Sequence, residues 1–455
     1  MKMQKNILVQ RMLFTAFWML ATFGFIAEEI VPFIEPLRTP VMIAADAIVV
    51  AAGLWTLRHK FDIAILVSYV VISLASTCWF NHVPLITWAN GTRVFVSVLF
   101  LVPALRYMWD SEERHDTFLK SLDKQAFIFL CLQAICLPWQ FIRYGACDHG
   151  GGSIGNMFSG TVSWSIYFFS FYLMRRRYDP NNLFRSILAN KWLVILLLPT
   201  FLNETKISFI LLLLYFVLLI PFNRTMVKRL LLMTPAAIVA AVLGFYVYAA
   251  VLPDEDSDFT DINYLLNSYL FDEDLDIEEA VGGVTWMLEY DDSALPDIPR
   301  ATKIVLTPNV LEENPGHEWL GFGMGLFNGS EHMQATDFAQ RYQWLVFGTN
   351  PYLLHIFLQL GILGTLWLIA FYIGLYCIRP KLYPRRDPGT MLYSLLSVIM
   401  LLLYADLPRM LVFGMMFYTI TFTMWEKPKQ LTADDDGAQS ADGATNTQHA
   451  RLKQC

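Results

Sequence analysis

Arg93, Arg143, Lys206, Arg300 and Arg409 are the cations whose positions in this chain suit chemistry as well as solubility. Arg93 follows WANGT, Arg143 precedes the glycine-rich DHGGGSIGN with its Asp148 and His149, and Lys206 sits beside Glu204 in NETK. Arg300 opens RATKIVL in otherwise acidic surroundings, and Arg409 follows DLP. Arginine offers a planar fork to oxyanions and lysine a point charge, so several of them around one cavity suit a phosphate or diphosphate. His149 and His355 are the candidates for accepting a proton near neutral pH. His317 and His332 have nothing to distinguish them. Each residue also has a plainer reading. Arg93 and Arg409 fit snorkelling at a helix end or pairing with an acid such as Asp406. Arg300 fits a surface ion pair, and either histidine fits a satisfied structural role. Lys206 is the more pointed case. It stands at a break between two apolar segments, and irregular backbone at membrane depth must be packed in protein or line a wet cavity.

The elements that must position these residues are membrane helices. Hydrophobic residues make up 55% of the 455-residue chain, and its mean hydropathy is +0.43. Apolar runs near 12–27, 40–57, 61–80, 92–109, 125–144, 157–174, 187–202, 205–222, 229–252, 351–378, 390–405 and 407–425 give about twelve spans. Cations concentrate in alternate loops, such as Arg175, Arg176, Arg177 and Arg185, then Arg379, Lys381, Arg385 and Arg386. The positive-inside rule then puts both termini in the cytoplasm. The chain divides into a membrane bundle over 1–252, a long outward loop over 253–350, further spans over 351–425, and a disordered tail over 426–455. Basic residues lead into the first apolar run as in a signal peptide, but Glu28 and Glu29 follow where a small-residue cleavage site belongs, so the first helix reads as uncleaved. The fold class is an all-α polytopic membrane protein.

Other chemistries find little support. The six cysteines are scattered without a CxxC, so neither a disulfide framework nor a zinc site is indicated. The net charge of −7 and the lack of a basic, aromatic-interleaved groove argue against nucleic acid. The acidic run 254–279 lacks the EF-hand spacing and reads as a solvated stretch. Asp46 is an isolated intramembrane acid, which suits helix packing as well as proton coupling.

Three patterns, with the topology, resemble the O-antigen polymerase and O-antigen ligase superfamily of bacterial membrane enzymes. RATKIVLTPNVLEENPGHEWLGFGMGLF is similar to the family's arginine, amphipathic helix and glycine cluster. It places Arg300 on the family's loop arginine and Ile304 on its aliphatic position, with Gly321, Gly323 and Gly325 as the cluster. TNPYLLHIFLQLGILG is similar to the segment around Asn350 and Gly361, and NETKISFILLLL puts Lys206 on a cationic position. The family's histidine before that asparagine is Thr349 here, and its usual acid near Gly361 is Gln359, which leaves His355 as a stand-in base. The resemblance implies a membrane glycosyltransferase-like bundle in the bacterial inner membrane, with 253–350 periplasmic. It implies attack by an acceptor hydroxyl on the anomeric carbon of an undecaprenyl-diphosphate-linked oligosaccharide. Arg93, Arg143, Lys206, Arg300 and Arg409 would hold the diphosphate, and Arg300, His149 and His355 would act in catalysis, with no metal and no cofactor.

Two activities share that donor: a polymerase joining repeat units of an O-antigen, capsule or exopolysaccharide, and a ligase passing glycan to lipid A-core. The divergence at Thr349 favours the polymerase. Partners implied are membrane lipid, a flippase and a chain-length regulator. A lipid-linked glycan transporter is the alternative from another class. The absence of an internal repeat visible in the sequence and the late, asymmetric loop count against it.

Overall fold

The computed structural model describes residues 2–145, 150–156, 158–178, 183–202, 207–219, 300–325, 342, 345, 350–405 and 407–426. The described chain is mostly helical. Helices α1 (Lys2–Phe25), α2 (Arg38–Thr56), α3 (Lys60–Leu74), α4 (Leu85–Trp109), α5 (Glu112–Tyr144) and α6 (Ser159–Arg177) come first. Short helices α7 (Leu183–Ala189) and α8 (Lys191–Ile195) lead to α9 (Ile207–Leu219). Helices α10 (Arg300–Glu313) and α11 (His317–Leu320) precede α12 (Tyr352–Cys377), α13 (Pro388–Tyr404) and α14 (Leu411–Phe422). Among the described residues, six helical stretches are long and apolar enough to cross a membrane: Asn6–Ile30, Pro32–Thr56, Lys60–Phe80, Leu85–Trp109, Glu112–Tyr144 and Tyr352–Cys377.

The stretch Lys191–Phe201 and helices α9, α13 and α14 fall in four more of the expected runs but are shorter, and the run at 229–252 lies outside the described residues. The expected span at 157–174 is α6, which departs from the six for a physical reason. Its sequence, SGTVSWSIYFFSFYLM, is diluted by hydroxyl residues, yet every residue from Thr161 to Met174 is buried. A helix enclosed by protein need not match lipid, provided its polar atoms find partners. Ser165 Oγ donates to the Thr161 carbonyl, and Ser170 Oγ donates to that of Leu193 at 3.0 Å.

The helix ends fall at two levels. At one end, Arg175 meets Asp387, Arg176 meets Asp123 at 2.9 Å, and the two-residue strands β1 (Arg385–Arg386) and β2 (Trp425–Glu426) pair antiparallel. Just inside it, Arg106 and Asp62 form a buried pair at 3.0 Å, and Arg106 Nη1 also donates to the Ile378 carbonyl that ends α12. The opposite, loop end carries Glu28, Arg38, Arg143 and residues 300–325.

Asp387 shows how local sequence fixes the first of these ends. In DPGT it is the N-cap of α13: its carboxylate accepts from the Thr390 N–H at 2.8 Å, and Pro388 starts the helix. Burial alone would raise this carboxyl, but Arg175 and the Thr390 hydrogen bonds outweigh burial and hold it below the usual carboxylate range. A depressed carboxyl contributes stability that is fully present above its unfolded value and is lost as pH falls through its folded value. Asp387→Ala is expected to cost about 3 kcal/mol, since it strands Arg175 and uncaps α13. Thermal unfolding in detergent reads this directly, and an unchanged midpoint would refute it.

Candidate functional site

The site is built where the α10–α11 segment docks on the bundle. In α10, Lys303, Leu306, Thr307 and Val310 form the buried stripe, spaced as one face of a helix. Ile304, expected as the aliphatic position, is 47% exposed. The inward group is therefore a lysine. Lys303 is fully buried, and its Nζ donates to Asn350 Oδ1 at 3.2 Å. One turn earlier, the Arg300 guanidinium lies 4.1 Å from the centre of the Tyr404 ring at the end of α13. Its Nε is buried without a hydrogen bond to any described residue.

Asn350 leads directly into α12, whose first turn buries His355. The His355 ring stacks on Phe95 of α4, with centroids 6.2 Å apart and planes 18° apart. Its Nε2 lies 3.0 Å from the Gln359 amide nitrogen. The donor in this contact is set by the imidazole tautomer and the orientation of the amide. Gln359 thus takes the place of the expected acid without offering a charge.

The motif glycines make this docking sterically possible. Gly361 interrupts α12 with φ 62° and ψ −157°. The break frees the Leu358 and Gln359 carbonyls from the helix ladder, and the Phe322 and Gly323 N–H groups donate to them at 2.8 and 2.9 Å. Ser76 Oγ donates to the Gln359 carbonyl at 3.0 Å, and Thr77 Oγ1 accepts from the Met324 N–H at 2.7 Å. These two residues lie in the π-helical continuation of α3, Ala75–Phe80. Gly325 lies against Gly91 of α4, where a Cβ on Gly91 would fall 2.3 Å from the Gly325 nitrogen. His317, unremarkable in sequence, locks the same junction. Its Nε2 lies 3.0 Å from Asn81 Oδ1, and its ring stacks on Phe322.

The remaining cations are distributed around α4 and beyond it. Arg93 was expected to open its span, but α4 starts at Leu85 and encloses Arg93 two turns in. It pairs with Asp46 of α2 at 3.1 Å, which gives that isolated acid its partner. Arg93 and Phe95 are two residues apart and point to different sides of the helix. The contacts thus place Arg93 on the α2 side and His355 on the α12 side. Arg38, with Glu28 and Glu35 as its acids, shares the α2-side cavity with Arg93 and Asp46.

Arg143 is placed elsewhere, half exposed and paired with the buried Glu29 carboxylate at 2.6 Å, which also accepts from Tyr144 at 2.9 Å. Arg143→Ala is expected to lower thermal stability by stranding Glu29 while leaving the activity of the folded protein unchanged. Activity lost at full stability would return Arg143 to substrate binding. Arg409 lies on the single turn Leu407–Arg409, and its side chain lies outside what is described. Lys206, His149, Asp148, Glu204, Thr349 and Asp406 also lie outside the described residues, as do His332, the acidic run 254–279 and the tail beyond 426.

Lys303 and Tyr404 are the residues that reading the sequence missed. The available signal was the spacing of Lys303 on the 303, 306, 307, 310 stripe, which places a cation among apolar positions. The assembled arrangement offers two cations on α10, a buried histidine and a buried amide pair beside a helix break. Such a group can hold an oxyanion and accept a proton. No protein-family model matches the chain, and no curated protein matches it.

Proposed function

We propose that the chain is a membrane glycan polymerase that joins undecaprenyl-diphosphate-linked repeat units at the loop end of the bundle. The observation that carries this reading is a fully buried lysine, Lys303, beside Asn350, with Arg300 one turn away. A lipid-linked diphosphate presents its charge at the membrane edge, where an ammonium and a guanidinium one helical turn apart can meet it. In this reading the acceptor hydroxyl attacks the anomeric carbon, the bond from that carbon to the diphosphate oxygen breaks, and the diphosphate leaves on its lipid. Arg300 and Lys303 stabilise the charge that develops on the leaving group. His355 takes the hydroxyl proton.

The reading also gives the loop end a periplasmic face, twelve spans in an inner membrane and two cytoplasmic termini. The clustering of Arg175, Arg176, Arg385 and Arg386 at the opposite end supports that orientation. The surface glycan of a deletion strain, resolved as a size ladder, tests the function. A ladder reduced to a single attached repeat unit is expected. Polymer accumulating on its carrier with no surface attachment would identify a ligase, and an unchanged ladder in a strain without a second polymerase would overturn both.

A further inference from the structure

The geometry points to a binding site for the phosphate of an anionic phospholipid headgroup between Arg58 and Arg114, at the end of the bundle opposite residues 300–325. It is centred on Tyr107, near the end of α4. The Arg114 guanidinium lies 3.9 Å from the centre of the Tyr107 ring, and that of Arg58 lies 5.5 Å from it. The two charges are therefore within about 10 Å of each other, a range over which exposed charges still interact in moderate salt. An aromatic face attracts cations, but it carries no charge that could neutralise two of them.

Nearby carboxylates are engaged elsewhere. Asp62 pairs with Arg106 at 3.0 Å, Asp110 lies 3.5 Å from His59, and Asp116 lies 3.0 Å from His115. Glu112 and Glu113 share the first turn of α5 with Arg114. No described carboxylate, these two included, lies within ion-pair distance of Arg58 or Arg114. The Arg114 Nε is buried and makes no hydrogen bond to a described residue. The first turn of a helix is also where its dipole disfavours a cation. Two guanidiniums so placed are suited to one shared oxyanion, since a phosphate can engage the fork of each.

The protein itself holds the site in shape. Tyr107 Oη donates to Asn6 Oδ1 of α1 at 2.7 Å, which fixes the ring. The His59–Asp110 contact brings the α2–α3 and α4–α5 turns together. The neighbouring surface selects a lipid over a soluble phosphate. Leu54 and Trp55, 57% and 47% exposed, lie at the end of the spanning stretch Pro32–Thr56, and Arg58 is exposed just beyond it. Exposed apolar side chains on a spanning helix face lipid, and a tryptophan at its end marks the headgroup level. A phosphate carried by a phospholipid therefore arrives at the height of Arg58, with its acyl chains along Leu54 and Trp55. Basic groups near the membrane surface attract anionic headgroups in this way. The site shares no residue with the one assigned to the diphosphate, and it does not depend on the proposed function.

The test uses the full chain in nanodiscs of phosphatidylcholine, with and without phosphatidylglycerol. Thermal unfolding and native mass spectrometry of retained lipid are the readouts. Phosphatidylglycerol is expected to raise the unfolding midpoint and to stay bound to the released protein. Arg58→Gln with Arg114→Gln is expected to weaken that binding about tenfold or more, and each single variant by less. Neither arginine leaves an acid stranded, so the double variant should unfold at the wild-type midpoint in phosphatidylcholine alone. Arg177→Gln removes another exposed cation at the same end and is expected to bind phosphatidylglycerol as wild type does.

Phosphatidylglycerol binding that survives the double variant would overturn the site. A double variant destabilised equally in both lipids would do so too, by making the arginines packing groups on Tyr107. Equal weakening by Arg177→Gln would reduce the effect to general surface attraction and overturn it as well. Inorganic phosphate that stabilises the protein in phosphatidylcholine as fully as phosphatidylglycerol does would overturn the lipid as its source. The deletion-strain ladder judges the proposed function separately.

Discussion

Gly361→Ala is expected to detach the α10–α11 segment from the bundle and abolish activity. The position has two independent demands, and alanine meets neither. Its backbone, at φ 62° and ψ −157°, lies in a region that is essentially restricted to glycine. A Cβ there would fall 2.4 Å from the Trp319 carbonyl carbon and 2.5 Å from its oxygen. Both are backbone atoms, which cannot swing aside as a flexible side chain can. Gly321 is the reciprocal partner, since a Cβ on it would meet the Gln359 carbonyl carbon at 2.6 Å. Relieving either clash breaks the Phe322 and Gly323 hydrogen bonds, which leaves the Leu358 carbonyl unpaired at depth and the Gln359 carbonyl with Ser76 alone. Strain and lost hydrogen bonds together amount to about 3 kcal/mol or more.

Limited proteolysis of the purified protein is the direct readout, with faster cleavage between α10 and α12 expected for Gly361→Ala and Gly321→Ala. Gly160→Ala supplies the control, because a Cβ there meets nothing within 4 Å. Wild-type proteolysis and activity in Gly361→Ala would show that the junction tolerates rearrangement.

Much of this architecture could be read from the chain because bilayer thickness imposes a length on apolar runs. Helices α1 to α5 and α12 all lie on expected runs. What escaped were contacts between residues far apart in sequence. The break at Gly361 was visible as a glycine, but the N–H groups that make it tolerable come from the 322–323 segment. His317 looked ordinary because its partner, Asn81, is 236 residues away. Arg93 raised the right question, and Asp46 is its described partner. Lys303 was hidden for a different reason. A lysine among Thr302, Leu306 and Thr307 reads as a solvated helix position until Asn350 is brought against it. The motif glycines were legible as a motif, yet the role that the geometry gives them is close packing. Chemistry and packing leave the same mark in one sequence.

Arg300→Ala and Lys303→Met are expected to eliminate transfer while the protein still folds and inserts. Loss of one preorganised charge facing a developing anion typically costs about a hundredfold in rate, or about 2.7 kcal/mol, and both residues are assigned that task. Arg300→Lys should recover little, since it keeps a charge but loses the planar fork and its stacking on Tyr404. The harder alternative is that Lys303 only anchors α10 through Asn350. Lys303→Met would then fail because Asn350 Oδ1 loses the hydrogen bond from the lysine. A double variant separates these cases. Replacing both members of a buried polar pair by apolar groups of similar size is often close to neutral for stability. Lys303→Met with Asn350→Leu should therefore restore thermal stability in either case. If the lysine is an anchor, activity returns with stability. If it holds the diphosphate, the double variant is stable and inactive, and that is the outcome expected here. Transfer measured in membrane vesicles with a lipid-linked repeat unit, normalised to folded protein, decides between them. Full activity in both Arg300→Ala and Lys303→Met would remove the cation clamp from the mechanism.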